Sequence, residues 1–351
     1  MTAPRSPQPP SQDGPFRKIG GGSYGTIFGH DGCDIVYKFA KTGDCTALRN
    51  DYEKHQRIYQ QFEKYAMRDV RIPWCLDWAA QSDIDQEPGL REAAERVDPN
   101  CLQPGDAGAL VAGLIHPLPG PTRDLLIDKY CPDQIKERAR ADHTNRDCLV
   151  RVYLGSMMGR VRQHSKLFSL RNLPLRLNRF VELKLDFETV ACRLGIALAI
   201  MHWGAKTDAR DVEFVLGSSP SDVIEPTTAA EEPDVDKGNK ESEKSEKKDT
   251  MYRETELWLL DFNQVRDITM DQAGVDTAVD AWKLNDPYYP RPGGASKEER
   301  AAYKEFCRSH LYASKFILEE EGSKTDLDLP RAFLSGIAEV QRERATHQTA
   351  E

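Results

Sequence analysis

Apolar positions recur along this chain at two spacings, and the changes between them mark out strands and helices. From Phe16 to Ala40 they fall in short extended runs separated by glycine, which predicts a hairpin whose second run is Ile35–Ala40. Leu48, Tyr52, His55, Ile58, Tyr59 and Phe62 then form the stripe of a helix over Cys45–Tyr65. Ile72–Ala79 and Ala109–His116 read as strands, and the polar stretch Gln81–Gly108 between them as a loop or insert. Prolines stiffen the connector Pro117–Pro121, followed by a short helix over Thr122–Cys131 and a strand over Cys148–Leu154. A longer helix carries Val190, Leu194, Ala197, Leu198 and Met201 on one face, with Asp186 placed to cap its start. Two apolar runs, Phe214–Leu216 and Leu257–Leu260, predict adjacent strands. Ser218–Glu254 between them is rich in Glu, Lys, Ser, Asp and Thr, buries too little to order itself, and is expected to loop out. Helices over Ser296–Glu321 and Pro330–Arg344 complete the chain.

Composition narrows the function classes. At 351 residues, 39% hydrophobic and 30% charged, the chain can bury a full core and hold two lobes. A net charge of −9 argues against a general nucleic-acid binder. Arg160–Arg179 is locally basic, with Phe168 and Leu170 interleaved, and reads as a rim around an anion site or a solvated face. The eight cysteines are scattered without C-x-x-C spacing, so no zinc site is expected and they read as small buried hydrophobes and free thiols of a reducing compartment. No run of 18 apolar residues occurs, and Met1–Pro15 is a Pro/Ser tail without a hydrophobic segment. The expectation is no signal peptide, no membrane span, and a cytoplasmic or nuclear location.

Candidate chemistry lies in three places. Ile19–Phe28 contains G-x-G-x-x-G between extended runs, where glycines let backbone N–H groups approach a phosphate; a structural turn would also explain it. A helix does not follow the third glycine, which excludes a dinucleotide-binding crossover. Lys38 sits on the next strand, within reach of Asp51 or Glu53 on the following helix. Asp208 and Glu213 lie on a loop between buried elements, and Asp261 at the end of a buried strand. Such acids are costly without something positive between them, and a divalent cation with a phosphate chain would serve.

With these pieces in order, the chain resembles the protein kinase-like fold. Gly20, Gly22, Tyr24, Gly25 and Ile27 match the kinase Gly-rich loop, and Val36 and Lys38 the V-A-I-K strand. Asp51 stands for the partner glutamate of the next helix, and Met201-His202 is similar to the L-H before the catalytic loop. Asp208, Arg210 and Glu213 match the aspartate, lysine and asparagine of H-R-D-L-K-x-x-N, and Asp261-Phe262-Asn263 matches D-F-G. Lys206-Thr207 replace His-Arg, Glu213 replaces asparagine, and Asn263 replaces a glycine whose left-handed turn asparagine can adopt. Pro287–Pro292 is faintly similar to the end of an activation segment, without its glutamate. The pattern also resembles an uncharacterised fungal family whose members are often labelled zinc-finger proteins.

The resemblance implies an α+β, two-lobed architecture: a disordered tail 1–15, an antiparallel-sheet lobe with one helix over 16–118, a shortened, mostly helical lobe over 119–335 interrupted by a disordered insert at 218–254, and an end segment 336–351. It implies ATP between the lobes, covered by Gly20, Gly22, Tyr24, Gly25, Ile27 and Val36 and held by Lys38 with Asp51. Glu213 and Asp261 would hold Mg²⁺, Asp208 would orient or deprotonate a hydroxyl of an unidentified protein or small-molecule acceptor, and Arg210 would steady the transferred group. A pseudokinase scaffold stands beside this reading, favoured by the altered motif positions and opposed by Lys38, Asp208 and Asp261. A zinc-dependent DNA-binding protein is disfavoured by charge and cysteine spacing.

Overall fold

The computed structural model describes residues 16–41, 44–97, 102, 108–157, 168–218, 255–322 and 328–349. The predicted tail 1–15, all of the predicted insert but Ser218, and positions 160–167 of the basic stretch lie outside the described residues. The fold is mixed α+β, with an antiparallel sheet in the N-terminal part and helices dominating the C-terminal part.

The first strands are β1 (Phe16–Gly21), β2 (Gly25–His30) and β3 (Ile35–Ala40), followed by helix α1 (Thr46–Lys64) and strand β4 (Cys75–Ala80). Gln81–Gly108, expected as a loop, instead holds helices α2 (Gln81–Asp85) and α3 (Pro88–Val97) before β5 (Gly108–Gly113). Sheet order is β1-β2-β3-β5-β4. Both faces of this sheet are covered. Phe28, Phe39 and Ala109 pack on Ile84, Leu90, Ala93 and Ala94 of the two short helices, while Val36, Leu110 and Ala112 pack towards Leu48 of α1. Leu90, Ala93 and Ala94 have helical spacing, but so few apolar positions among charged ones are a weak periodic signal.

Next come α4 (Gly120–Tyr130), α5 (Lys136–Ala141), α6 (His143–Arg146), β6 (Val150–Tyr153), β7 (Leu175–Arg176), α7 (Leu177–Glu182) and α8 (Phe187–Ala199), whose last turn widens into a π-helical turn over Ile200–Gly204. Asp186 caps α8, its carboxylate accepting from Thr189 N at 2.9 Å, as expected. Strands β8 (Glu213–Ser218) and β9 (Thr255–Leu260) pair antiparallel from Glu213↔Leu260 to Ser218↔Thr255, so the two apolar runs are indeed neighbours. The second sheet runs β7-β6-β8-β9. Helices α9 (Gln272–Leu284), α10 (Lys297–Glu320) and α11 (Leu329–Thr349) follow.

Helix α10 begins with a capping box between Ser296 and Glu299 and lies along α8. At Gly195 a side chain would meet Ser309 Oγ at 2.2 Å and the Phe306 carbonyl at 2.5 Å, so only glycine permits this approach. The main core gathers Leu194, Leu198, Trp203, Phe214, Phe262, Phe306 and Phe333. The two sheets are tied together at Arg71, whose N donates to Leu257 O at 2.9 Å and whose O accepts from Leu259 N at 2.8 Å. Among the described residues no helix is long and apolar enough to cross a membrane.

Candidate active site

The crevice between the sheets is organised by Lys38. On β3 it pairs across from Ile27 of β2, and Val36 points to the same side two residues earlier. Its Nζ lies 2.6 Å from an oxygen of Asp51 and 2.8 Å from an oxygen of Asp261. The side chains of Lys38, Asp51 and Asp261 are 15%, 4% and 25% exposed. Burial alone would lower the lysine pKa, but the charges of both carboxylates and hydrogen bonds to them overcome this and raise it. Of the two acids open as partners, Asp51 is the one chosen; Glu53 is exposed. The shorter aspartate has a second task, since its other oxygen accepts from Phe262 N at 3.0 Å.

Helix α1 grips the segment after β9 with one face. Asn50 Nδ2 donates to the carbonyls of Asn263 and Val265, both at 3.0 Å. Lys54 reaches both oxygens of Asp267 at 2.8 Å, and Arg57 pairs with the same carboxylate. Positions 50, 51, 54 and 57 share a face by helical spacing, so the helix reads the loop as a unit. His55, expected as a half-buried stripe residue, is buried, with Nε2 at 2.5 Å from Pro73 O and its ring 5.1 Å from that of Phe262.

The glycine-rich turn sits beside the lysine. A side chain at Gly25 would approach Lys38 Cε and the Phe39 carbonyl to 3.0 Å, whereas at Gly22 it would meet nothing. Gly22 N donates to Gly25 O at 2.9 Å, and Tyr24 at the tip is exposed. Gly20 abuts Ile27, and Arg171 ties this edge to the lower half by donating to Ile19 O at 3.3 Å.

Three expectations are corrected here. Asp208 does not face the crevice. Its side chain is 0% exposed; one oxygen accepts from Arg210 N at 3.0 Å and Arg266 N at 2.9 Å, and the other from Arg266 Nε at 2.6 Å. Both its oxygens are engaged in holding two loops together, and with no exposure it is a strut. Glu213 is likewise engaged, held by Nε of Arg151 at 3.0 Å and by a second bond to the same guanidinium. Burial, partly opposed by Arg151, raises its pKa. The left-handed residue of the 261–263 turn is Asp261 itself, at φ 68°, and not Asn263. Asn263 is buried and donates Nδ2 to Asp261 at 2.7 Å.

Sequence reasoning passed over Asp211. It is exposed, with φ 58°, and partial desolvation, followed by the nearby charge of Asp261, raises its pKa. Its carboxylate accepts from Gln264, and its backbone N donates to Asn285 Oδ1 at 2.6 Å. Asn285 Nδ2 also donates to Ala209 O at 2.6 Å. Arg210 is partly exposed beside it, its charge felt by Asp211. Arg151, Arg266 and Asn285 were also missed; Arg151 lies on the predicted strand Cys148–Leu154, whose pattern gives no partner for its charge, and only the Asn-Asp-Pro run at 285–287 hinted at Asn285.

A cleft of about 490 Å³ opens along this contact, between Asp44–Lys54 and Asn263–Asp267. Lys38, Asp51 and Asp261 are not among its lining residues, so the converging charges mark the chemistry better than cavity size. Among the described residues no group of three or more His, Cys, Asp and Glu side chains is placed to hold a metal ion.

Comparison with known proteins adds one match. No curated protein and no solved structure matches the chain. A family of unknown function described as "zinc finger protein" matches residues 257–322, the stretch from within β9 through the whole of α10 that carries Asp261, Arg266 and Asn285. That stretch has one cysteine, Cys307, and one histidine, His310, where a tetrahedral zinc site takes four ligands.

Proposed function

We propose that this chain is a kinase-like nucleotide-binding protein that takes ATP with a divalent cation between its two sheets and transfers phosphate to a hydroxyl acceptor. The observation that carries the reading is Lys38 held between Asp51 of α1 and Asp261 after β9, at 2.6 and 2.8 Å. Supporting it are the sheet order β1-β2-β3-β5-β4 with a glycine-rich first turn, and the β8–β9 hairpin that brings Glu213 and Asp261 to the same end. The residues present fit the groups implied. Lys38 and the turn around Gly22 offer a cation and backbone N–H groups to a phosphate chain. Asp261 offers an oxygen donor to a hard cation, which would supply charge neutralisation of the transferring phosphate. Glu213 fits less well, because Arg151 already neutralises it.

That last pair favours a second reading, in which the same crevice binds nucleotide without transfer and the chain serves as a scaffold. Thermal melting of the full chain with ATP, with and without Mg²⁺, tests the first step. The expected result is a stabilisation of several degrees that Lys38→Met and Asp261→Asn each abolish. No shift for the wild type with ATP and Mg²⁺ would reject nucleotide binding. Stoichiometric zinc in the purified protein would instead favour the description carried by the matching family.

A further inference from the structure

Asp208 and Asp211 are three residues apart on one loop, yet only Asp211 is exposed. Lys206, Ala209 and Asp211 have φ of 54°, 53° and 58°, so three non-glycine residues within six positions adopt the left-handed region. Such strain persists only where the surroundings impose it. Here the surroundings are identifiable. Asn285, buried at the end of α9, clasps Ala209 O and Asp211 N, both at 2.6 Å. On the other side Asp208 N donates to Arg266 O at 3.0 Å and Ile268 N to Lys206 O at 3.0 Å. Held at both edges, the loop turns Asp208 inward onto Arg266 and Asp211 outward toward Gln264, in the segment that begins with Asp261.

We infer that Asp211, and not Asp208, is the carboxylate that meets the acceptor hydroxyl, with Asn285 and the Asp208–Arg266 pair as the positioning groups that aim it. This rests on the phosphotransferase reading above. In the step it serves, the acceptor oxygen forms a bond to the γ-phosphorus and the bond from that phosphorus to the β-bridging oxygen breaks. ADP departs with that electron pair, and the acceptor proton passes to Asp211. The carboxylate suits the task by exposure: Asp211 is exposed with one oxygen engaged by Gln264, whereas the Asp208 side chain is 0% exposed and accepts three bonds from Arg210 and Arg266.

The test uses the full chain and water as the acceptor, following inorganic phosphate released from ATP, beside melting curves with ATP and Mg²⁺. Asp211→Asn should melt within a degree or two of wild type, keep the ATP-dependent shift, and lose at least tenfold in phosphate release. Asn285→Ala should lower phosphate release while preserving the ATP-dependent shift, a split that loss of folding alone would not produce. Asp211→Asn with wild-type release would overturn the assignment and leave the phosphotransferase reading standing. A wild-type chain that binds ATP but releases no phosphate would overturn that reading and this assignment with it.

Discussion

Two buried polar clusters in this molecule respond oppositely to being taken out of water. Around Lys38, three ionisable groups from β3, α1 and the turn after β9 meet within hydrogen-bonding distance, and each charge finds an opposite one. Inside the helical half, His202 and His310 lie with ring centroids 5.8 Å apart among Trp203, Phe306 and Phe333, and His310 Nδ1 faces only the Gly195 carbonyl at 3.2 Å. Burial pushes both imidazoles down, His310 to about 4, with each histidine's neighbour giving no carboxylate to offset it. Desolvation is common to the two places, and the presence of counter-charge decides whether a group stays ionised. The first cluster is therefore suited to meeting a charged ligand and the second to packing.

The largest effect should come from breaking the ionic cluster. Lys38→Met leaves Asp51 buried without its partner and is expected to cost on the order of 3 kcal/mol in urea unfolding. Adding Asp51→Asn should recover part of that loss, a coupling that a double-mutant cycle measures. Strict additivity of the two substitutions would mean the pair does not interact.

The histidine pair should reveal itself through pH. An imidazole whose folded pKa lies below its ordinary value of about 6.5 binds its proton more readily in the unfolded chain, so its contribution is complete above pH 6.5 and shrinks as pH falls toward 4. About 2 kcal/mol should be gone by pH 5, and His310→Phe should flatten that slope. Lys38 has the opposite sign: its pKa is raised, so its contribution is full below the ordinary lysine value near 10.5 and constant across this acid range. An acid slope unchanged in His310→Phe would assign the loss elsewhere.

Smaller effects sharpen how α1 holds the crevice. Asn50→Ala removes donors to two carbonyls and should cost about 1 kcal/mol while weakening the ATP-dependent melting shift. Asp267→Asn should cost less than about 1 kcal/mol, and less still in high salt, because the Asp267 side chain is 64% exposed. A larger loss there than at Asn50 would make the ion pairs, and not the amide, the main clasp.

The chain alone determined a good deal here. Helical spacing in α1 and strand alternation in β3 bring Lys38 within reach of Asp51 or Glu53, because both elements bury one face and period fixes which side chains share it; only the tertiary structure chooses Asp51. The same reasoning paired β8 with β9 across a long polar stretch and placed Asp261 at the strand's end. Periodicity had nothing to say about Asp208, Asp211 and Asn263, which lie in short loops. There, side-chain direction follows the sign of φ at individual residues, and those signs are imposed by Asn285, 74 positions beyond Asp211, and by Arg266, 58 beyond Asp208. The helices that cover the outer face of the first sheet were hidden for a related reason: Leu90, Ala93 and Ala94 are few among charges, and they become a face only when Phe28 and Phe39 lie beneath them. Local pattern reports what a segment can bury, whereas contacts distant in the chain decide which of its polar groups are spent inside the protein and which remain for a ligand.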